Sequence, residues 1–210
     1  MGKIKIIIVD DAKVTRLGLN FLFCRSNDFE VIGEAEDGLQ FLSLLETKMP
    51  DIVLMDVSMP VMDGIEATKE ATIKYPSVKI IALTNIYSED TFNKMISAGA
   101  KAFLTKEIEF SELRRAILTI FKNGIYIEPK IVNYIKNSKS PSEPIVRLDL
   151  TQLESQVLKL LSDGNTIHKT AYLLDIKVDI IEQQYLNLLQ KTKTTNRVAL
   201  LMFAIKNSIV

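Results

Sequence analysis

Residues 52–56 read Ile-Val-Leu-Met-Asp, a short apolar run that ends in a carboxylate, and the arrangement recurs along the first half of the chain. Amphipathic stretches with helical spacing separate these runs. The alternation predicts a doubly wound α/β domain, in which a parallel sheet carries helices on both faces and ligands bind outside the carboxyl ends of the strands. We expect the polar residues that follow four of the strands to meet at that edge. They are Asp10 and Asp11 after 6–9, Asp56 after 52–55, Thr84 after 80–83, and Lys106 after the strand over 103–105.

The chemistry of this predicted edge indicates phosphoryl transfer. Three crowded carboxylates, from Asp10, Asp11 and Asp56, cannot all stay ionised at low cost without a cation among them. Mg²⁺ accepts a few carboxylate oxygens and bridges to phosphate oxygens, so we expect Mg²⁺ as the cofactor. A carboxylate can itself take up a phosphoryl group as an acyl phosphate, while the metal and Lys106 share the developing charge. The Thr84 hydroxyl can then hydrogen-bond a phosphoryl oxygen.

Five short segments of the first domain carry a family resemblance. They are Val9-Asp10-Asp11, residues 56–64 (Asp-Val-Ser-Met-Pro-Val-Met-Asp-Gly), Leu83-Thr84, Gly99-Ala100, and residues 103–106 (Phe-Leu-Thr-Lys). Over about residues 3–123 the chain resembles the receiver domains of two-component response regulators. The resemblance implies the flavodoxin-like (βα)5 fold of those domains.

The resemblance also implies a role for each polar residue at the predicted edge. Asp56 is the implied phospho-acceptor, phosphorylated by a sensor histidine kinase, and Lys106 is the implied phosphate contact. In such domains a threonine moves toward the phosphoryl group and an aromatic ring turns inward, which reshapes the face of the fourth helix and fifth strand. Thr84 and Phe103 are the implied switch pair. The implied Mg²⁺ ligands are Asp10, Asp11, Asp56 and the backbone carbonyl of Ser58.

These residues also have ordinary structural explanations. A strand-end Asp taken singly is often a helix cap or a turn residue. An aromatic residue such as Phe103, between Ala102 and Leu104, is typical of core packing. The joint position of the acids with Thr84 and Lys106 favours the phosphoryl site. A phosphatase or phosphotransferase enzyme is not favoured, because no motif places a separate general base.

The composition favours a cytoplasmic protein that is not embedded in a membrane. The 210 residues include 26 basic and 26 acidic side chains, so the formal net charge is zero and any DNA affinity has to come from a local patch. The single cysteine, Cys24, excludes an internal disulfide and fits a reducing compartment. We expect its thiol to be buried. The N-terminal apolar stretch is too short for a signal peptide, and no apolar run has the length that spans a bilayer.

The sequence predicts two domains joined by a linker. We expect a receiver domain over 1–123, a linker over 124–147 and a small all-α domain over 148–210. Residues 136–144 (Lys-Asn-Ser-Lys-Ser-Pro-Ser-Glu-Pro) are polar and lack periodicity. Pro129 suits the first position of a helix, which predicts a short helix inside the linker.

The last domain has the pattern of a helix-turn-helix module. Four helices are predicted, the first opened by a capping box of Thr151 and Glu154, with a tight turn before the third. The framework residues resemble the C-terminal domain of the LuxR or NarL type of transcription regulator, which implies DNA binding. They are Leu150, Thr151, Glu154, Val157, Leu158, Leu160, Leu161, Gly164, Ala171, Leu174, Ile176, Lys191 and Arg197. The chain departs from that family where Ile180, Glu182 and Gln184 replace the usual Thr, Lys and His, and where Leu153 replaces a framework arginine.

The candidate DNA-contacting residues carry little net positive charge. Residues 147–210 hold eight Lys or Arg and six acids, a net of +2. A carboxylate that faces the phosphate backbone is repelled, although Glu182 can accept a hydrogen bond from cytosine and Gln184 can pair with adenine. His168 and Lys193 are further candidates for phosphate contacts. The candidate DNA-binding residues are Lys169, Lys177, Glu182, Gln184, Tyr185, Lys191 and Arg197.

The final helix contains an unbroken apolar run over 198–205. In the LuxR or NarL family this helix commonly forms the dimer contact. Leu201, Met202 and Ile205 are therefore candidates for a homodimer surface. The alternative is that a small domain simply buries both faces of the helix.

The sequence thus predicts a two-component response regulator that is phosphorylated on Asp56 and acts as a DNA-binding transcriptional regulator. The alternative keeps the phosphorylation switch and changes the output. In it, the degenerate helix-turn-helix is a protein-interaction or dimerisation module that does not bind DNA in the usual way.

Overall fold

A computed structural model describes residues 2–85, 87–138 and 148–210. The chain divides into two compact units, Met1–Lys122 and Asn123–Val210. Residues 139–147, which include the greater part of the polar stretch 136–144, lie outside the described residues. The assignment of 124–147 as an interdomain linker stays a prediction.

The first unit is built on a five-stranded parallel sheet, which confirms the predicted α/β class. Its strand order is β2-β1-β3-β4-β5. The three middle strands are almost wholly buried, because helices cover both of their faces, and this explains why their sequences are continuous apolar runs. The strands are β1 (Ile4–Val9), β2 (Phe29–Ala35), β3 (Ile52–Asp56), β4 (Ile80–Thr84) and β5 (Ala102–Thr105).

Five helices connect and follow these strands. Right-handed crossovers place the helix after β1 on one face of the sheet and the helices after β2, β3 and β4 on the other, because only the first connection runs toward β2. The helix after β5 packs on the first face. On the first face, the rings of Phe23 and Phe110 meet with centroids 5.7 Å apart. The helices are α1 (Lys13–Cys24), α2 (Gly38–Leu45), α3 (Gly64–Lys74), α4 (Glu89–Ser97) and α5 (Phe110–Phe121).

The register of the sheet brings the strand ends to one level. Val9 pairs with Met55, Asp56 with Leu83, and Thr84 with Thr105. The strand order reverses between β1 and β3, which is the position where open α/β sheets leave a ligand crevice. The polar residues that follow these strands therefore emerge side by side.

The second unit is all helical in the part that the structure describes. Thr151 and Glu154 form the predicted capping box, and the side chain of Asn196 caps the last helix. The core of the second unit contains Val157, Leu161, Ile181 and Leu188. A turn through Asp175, in the left-handed conformation, joins the two helices of the helix-turn-helix. The helices are α6 (Pro129–Ser138), α7 (Gln152–Ser162), α8 (Ile167–Leu174), α9 (Val178–Thr192) and α10 (Arg197–Lys206).

The expected burial of Cys24 is wrong, because this residue is exposed at the end of α1. Its neighbour Phe23 points into the core instead and packs edge-on against Phe29, with ring centroids 5.3 Å apart. Adjacent residues on a helix point in different directions, so only one of the two can enter the core.

Gly64, at the start of α3, lies beside the carboxyl edge of the sheet, where the phosphoryl site is predicted. We expect Gly64→Ala to distort this edge. A Cβ at position 64 would overlap the backbone carbonyl oxygen of Asp56. We expect the variant to unfold at a lower temperature and to lose phosphorylation. Gly18→Ala in α1 is the matched control, because a Cβ there meets nothing within 4 Å and the change favours the helix by about 0.5–1 kcal/mol. Thermal unfolding of both variants measures the difference. Equal stability of the two would contradict the close approach at Gly64.

Candidate functional site

Three carboxylates and one lysine meet at the carboxyl edge of the sheet. Asp10, Asp11 and Asp56 each offer an oxygen atom, and these atoms lie within 4.8 Å of one another. Lys106 Nζ lies 2.7 Å from Asp10 Oδ2 and 2.8 Å from Asp56 Oδ2. Asp10 and Asp56 are buried, whereas Asp11 is exposed. The geometry brings the predicted residues together in one pocket.

The pocket opens into a cavity of about 510 Å³. The N–H of Ser58 donates to Asp56 Oδ1 across 3.4 Å, so the loop after β3 folds back over the carboxylate. The hydroxyl-bearing residues around the opening suit a ligand with several oxygen atoms. The cavity is lined by Asp11, Ala12, Thr15, Asp56, Ser58, Thr84, Asn85, Ser88, Thr91 and Lys106.

The electrostatics of the pocket are unfavourable for Asp56. Burial raises the pKa of the Asp56 carboxyl, Asp10 raises it further, and the hydrogen bond and charge of Lys106 oppose the rise without cancelling it. For Lys106, burial acts to lower the pKa, but its bonds to Asp10 and Asp56 outweigh burial and raise the pKa. The lysine therefore stays charged, while its charge does not fully offset the burial of the Asp56 carboxylate.

The donor set fits a hard divalent cation. Three carboxylates against one ammonium leave an excess of two negative charges, which one divalent ion neutralises. All the available ligand atoms are oxygens, which Mg²⁺ prefers, and the open cavity leaves room for the waters that Mg²⁺ keeps. Asp10, Asp11 and Asp56 are thus the residues that could hold the ion, with Ser58 at the cavity wall.

Thr84 and Phe103 lie on neighbouring strands beside the pocket. Thr84 ends β4 and lines the cavity that Asp56 lines. Phe103 is buried in β5, and its ring contacts two other aromatic rings, those of Tyr87 at 6.0 Å and Phe92 at 5.5 Å between centroids. Phe103 thus packs in the core, and its role in a switch stays a prediction. Tyr87 and Phe92 were not among the predicted residues, because their positions depend on how α4 packs on β5.

Arg16 is a site residue that the sequence analysis missed. This buried guanidinium donates from Nη1 to the backbone carbonyl of Asp10 at 2.7 Å and, at 3.3 Å, to that of Asp11. Its other edge faces two carboxylates, with Nη2 2.7 Å from Glu36 and Nε 3.4 Å from Glu34. The signal in the sequence was an arginine six residues after Asp10, in the helix that also carries the buried Phe23. Arg16 ties the backbone of the acid pair to β2.

Four of the candidate DNA-binding residues lie at the surface of the second unit. Lys169, Lys177 and Glu182 are exposed, and Gln184 is half-buried. Lys169 Nζ lies over the ring of the exposed Tyr172, 4.7 Å from its centroid. These residues can contact a ligand from α8 and α9.

The other three candidate DNA-binding residues have partners within the second unit, and their contact with DNA stays a prediction. Lys191 Nζ lies 2.7 Å from Glu154 Oε2 and donates to the Asp149 carbonyl at 2.8 Å. Arg197 donates to the backbone carbonyls of Leu161 and Asn165, which closes the end of α7. Tyr185 packs against the core of the unit, and this burial raises the pKa of its hydroxyl. A carboxylate, helix-end carbonyls and an apolar core compete with DNA for these side chains.

The proposed dimer surface on α10 also needs a correction. Leu201 and Met202 are 1% and 5% exposed within the single chain, and only Ile205 is half-buried. Helix α6 contacts α10, and Ile125 and Ile127 pack against the same core. The second unit therefore buries both faces of its last helix, which is the alternative to a dimer surface that the sequence left open.

Comparisons with known proteins agree with this geometry. A family model of the response regulator receiver domain matches residues 6–118. YhcZ of Bacillus subtilis (strain 168), described as an uncharacterized transcriptional regulatory protein, is 36% identical over 98% of this chain and 97% of its own. A LuxR-family two-component response regulator from Aurantimonas sp. SI85-9A1 shares 30% identity over 62% of this chain and 94% of its own, with a TM-score of 0.59. The structure titled as the RcsB-DNA complex covers 97% of this chain and 98% of its own with a TM-score of 0.60, and at 22% identity it shows a common fold. Within the described residues, no helix is long and apolar enough to cross a membrane.

We expect Asp56→Asn to stabilise the protein when Mg²⁺ is absent. Because the pKa of Asp56 is raised in the folded state, the ionised carboxylate costs stability above the ordinary pKa of 3.8, and this cost disappears as the pH falls below it. Thermal unfolding at pH 7 should therefore show a higher midpoint for the variant, with a difference that shrinks toward acid pH. Adding Mg²⁺ should raise the midpoint of the original chain more than that of the variant.

Glu30→Gln is the control for this experiment, because it removes one exposed carboxylate near the opposite end of the sheet. Mg²⁺ should stabilise the control as it stabilises the original chain. An equal Mg²⁺ effect on Asp56→Asn and Glu30→Gln would place the ion elsewhere.

Replacement of Arg16 by lysine should weaken Mg²⁺ binding by about tenfold, because an ammonium cannot hold two carbonyls and Glu36 at once. Calorimetric titration with Mg²⁺ measures the affinity. Arg114→Lys is the matched control, since Arg114 pairs with Asp28 at the surface of the same unit. If Arg16→Lys lowers only the unfolding temperature and leaves the Mg²⁺ affinity unchanged, Arg16 does not position the acid pair.

Proposed function

The chain belongs to the response regulators that carry a receiver domain, and from this premise we propose that a sensor histidine kinase phosphorylates it on Asp56 and that it then controls transcription by binding DNA. The pocket of Asp10, Asp11, Asp56 and Lys106 carries this proposal. The protein's own chemistry is limited to accepting and holding a phosphoryl group, and the chain is a regulator like its relatives. A cytoplasmic location is part of the proposal, because the protein has to reach both a sensor kinase and a promoter.

In the phosphoryl step, a carboxylate oxygen of Asp56 forms a bond to the phosphorus of a phosphohistidine, and the phosphorus–nitrogen bond breaks. The product is an acyl phosphate on Asp56, and the leaving imidazole takes up a proton from solvent. Lys106 holds Asp56 through Oδ2 before the step and lies close enough to contact the new phosphoryl oxygens. Asp10, Asp11 and Asp56 would hold Mg²⁺, which would supply positive charge to the phosphoryl oxygens.

Thr84 and Phe103 are the proposed switch. The hydroxyl of Thr84 lies at the cavity wall, where it can hydrogen-bond a phosphoryl oxygen. Any movement of the Phe103 ring has to displace Tyr87 and Phe92, because all three rings are in contact, and Phe92 belongs to α4. Phosphorylation would thereby act on the start of α4. A tenfold change in the population of the active state needs only about 1.4 kcal/mol of differential stability.

The second unit is the proposed DNA-binding output. Its support is the helix-turn-helix of α8 and α9, the transcriptional relatives, and the fold shared with a protein whose structure is titled a DNA complex. Lys169, Lys177 and Lys193 are exposed around α9 and can contact phosphates, with His168 beside them. Homodimer formation is part of the proposal, but the buried Leu201 and Met202 cannot serve it unless α10 is uncovered.

One observation favours a second candidate function, in which the output binds protein. We define the outer stripe of α9 as the exposed residues Asp179, Glu182, Gln183, Leu186 and Gln190, which lie opposite the buried Ile181, Leu188 and Thr192. The outer stripe contains two acids and no base. Ile180 and Leu186 are 42% and 50% exposed, and such apolar surface also suits a protein contact.

Two variants test the proposed function. Asp56→Asn should not become labelled by radioactive acetyl phosphate or by a phosphorylated kinase, since no acyl phosphate can form. Thr84→Ala should still be labelled but should lose the phosphorylation-dependent gain in DNA retention, because the hydroxyl that detects the phosphate is absent. Label that stays on Asp56→Asn would overturn the phospho-acceptor assignment. A full DNA response in Thr84→Ala would remove Thr84 from the switch.

A further inference from the structure

The outer stripe of α9 carries a glutamine, Gln183, whose side chain suits one base pair better than the other. In helix-turn-helix proteins the N-terminal residues of the second helix contact the edges of bases in the major groove. Guanine presents two acceptors there, N7 and O6, and is read most often by arginine or lysine. The outer stripe contains neither, and Lys191 beside it is bonded to Glu154 and Asp149. The stripe therefore lacks the groups that select guanine.

The same surface carries the groups that match adenine and thymine. Adenine presents an acceptor, N7, next to a donor, N6–H₂, and a glutamine amide complements both at once. The Gln183 Nε2 donates to Asn187 Oδ1 at 3.1 Å, which fixes the amide and leaves its Oε1 and second N–H for a base. Exposed Ile180 and Leu186 stand on either side of Gln183 along the helix, where apolar groups can contact the methyl group of thymine.

We propose that α9 reads A·T base pairs, with Gln183 contacting adenine and Ile180 and Leu186 contacting thymine methyl groups. This inference rests on the proposed DNA-binding function and names the DNA that it selects. Glu182 does not add to this selection, because its carboxylate can accept a hydrogen bond from the amino group of cytosine as well as from that of adenine.

The phosphate contacts of this surface are few. Asp179 and Glu182 repel the backbone, so positive charge comes from the lysines that flank the stripe, Lys169, Lys177 and Lys193. Three phosphate contacts per chain give a slope of log affinity against log salt concentration of about −3. Base contacts then carry a larger share of the binding than in a strongly basic helix-turn-helix.

The test is selection of bound fragments from random duplex DNA by the full chain, with beryllofluoride as the phosphoryl mimic. We expect A·T-rich half-sites, and replacement of a selected A·T pair by G·C should weaken binding by about tenfold. Gln183→Arg should shift the preference at one base pair from adenine to guanine. Gln156→Arg is the matched control, because it adds the same charge at an exposed position on α7.

The outcomes separate the inference from the proposed function. Half-sites rich in G·C, or a Gln183→Arg preference identical to that of Gln156→Arg, would overturn A·T reading while leaving DNA binding intact. If no DNA is enriched with or without the mimic, although Asp56 still accepts phosphate, both the A·T inference and the DNA-binding output are wrong. That result would leave the protein-binding output as the remaining candidate.

Discussion

Lys106 bridges two buried carboxylates, Asp10 and Asp56, and the rest of the first unit is arranged around this contact. Burial disfavours the charged carboxylate of Asp56, and one ammonium cannot neutralise it together with Asp10 and Asp11. The pocket therefore carries an excess of negative charge. A divalent cation, or a change of charge on Asp56, relieves this excess. Such a state is maintained only because the surrounding sheet, with its buried apolar strands, leaves the carboxylates no alternative position.

Two backbone contacts keep the unsatisfied pocket in place. Arg16 holds the carbonyls of the acid pair and is itself balanced by Glu34 and Glu36, so its charge does not neutralise the pocket. Gly64 lies so close to the Asp56 carbonyl that no side chain fits there. Because both contacts act on the backbone, the acid side chains remain available to a metal ion and a phosphoryl group. The backbone atoms of the acidic residues thus make the structural contacts, whereas their carboxylates remain for the chemistry.

The sequence was sufficient for the sheet and the pocket because both follow from local patterns. Apolar runs of four residues ended by Asp10, Asp56 or Thr84 define the strands, and the parallel topology then brings their ends together. The role of Arg16 depends on Glu34 and Glu36, which lie some twenty residues away in the sequence. No local pattern indicates that pairing. In the second unit the helices followed from caps such as the box of Thr151 and Glu154, but the partners of their side chains did not.

The availability of positive charge connects the structure of the second unit to its proposed function. Lys191 and Arg197 were candidates for phosphate contacts on residue type alone, yet Glu154 and helix-end carbonyls hold them. Because these two side chains have partners within the protein, the surface of the second unit that would contact DNA has little positive charge. Its electrostatic attraction to DNA is therefore small. A single chain would then bind DNA weakly, and two chains joined by phosphorylation would add their base contacts and their lysines at one site. If phosphorylation joins two chains, as proposed, a weakly basic output domain makes transcription control depend on the switch, because association of two chains then raises a marginal affinity to a specific one.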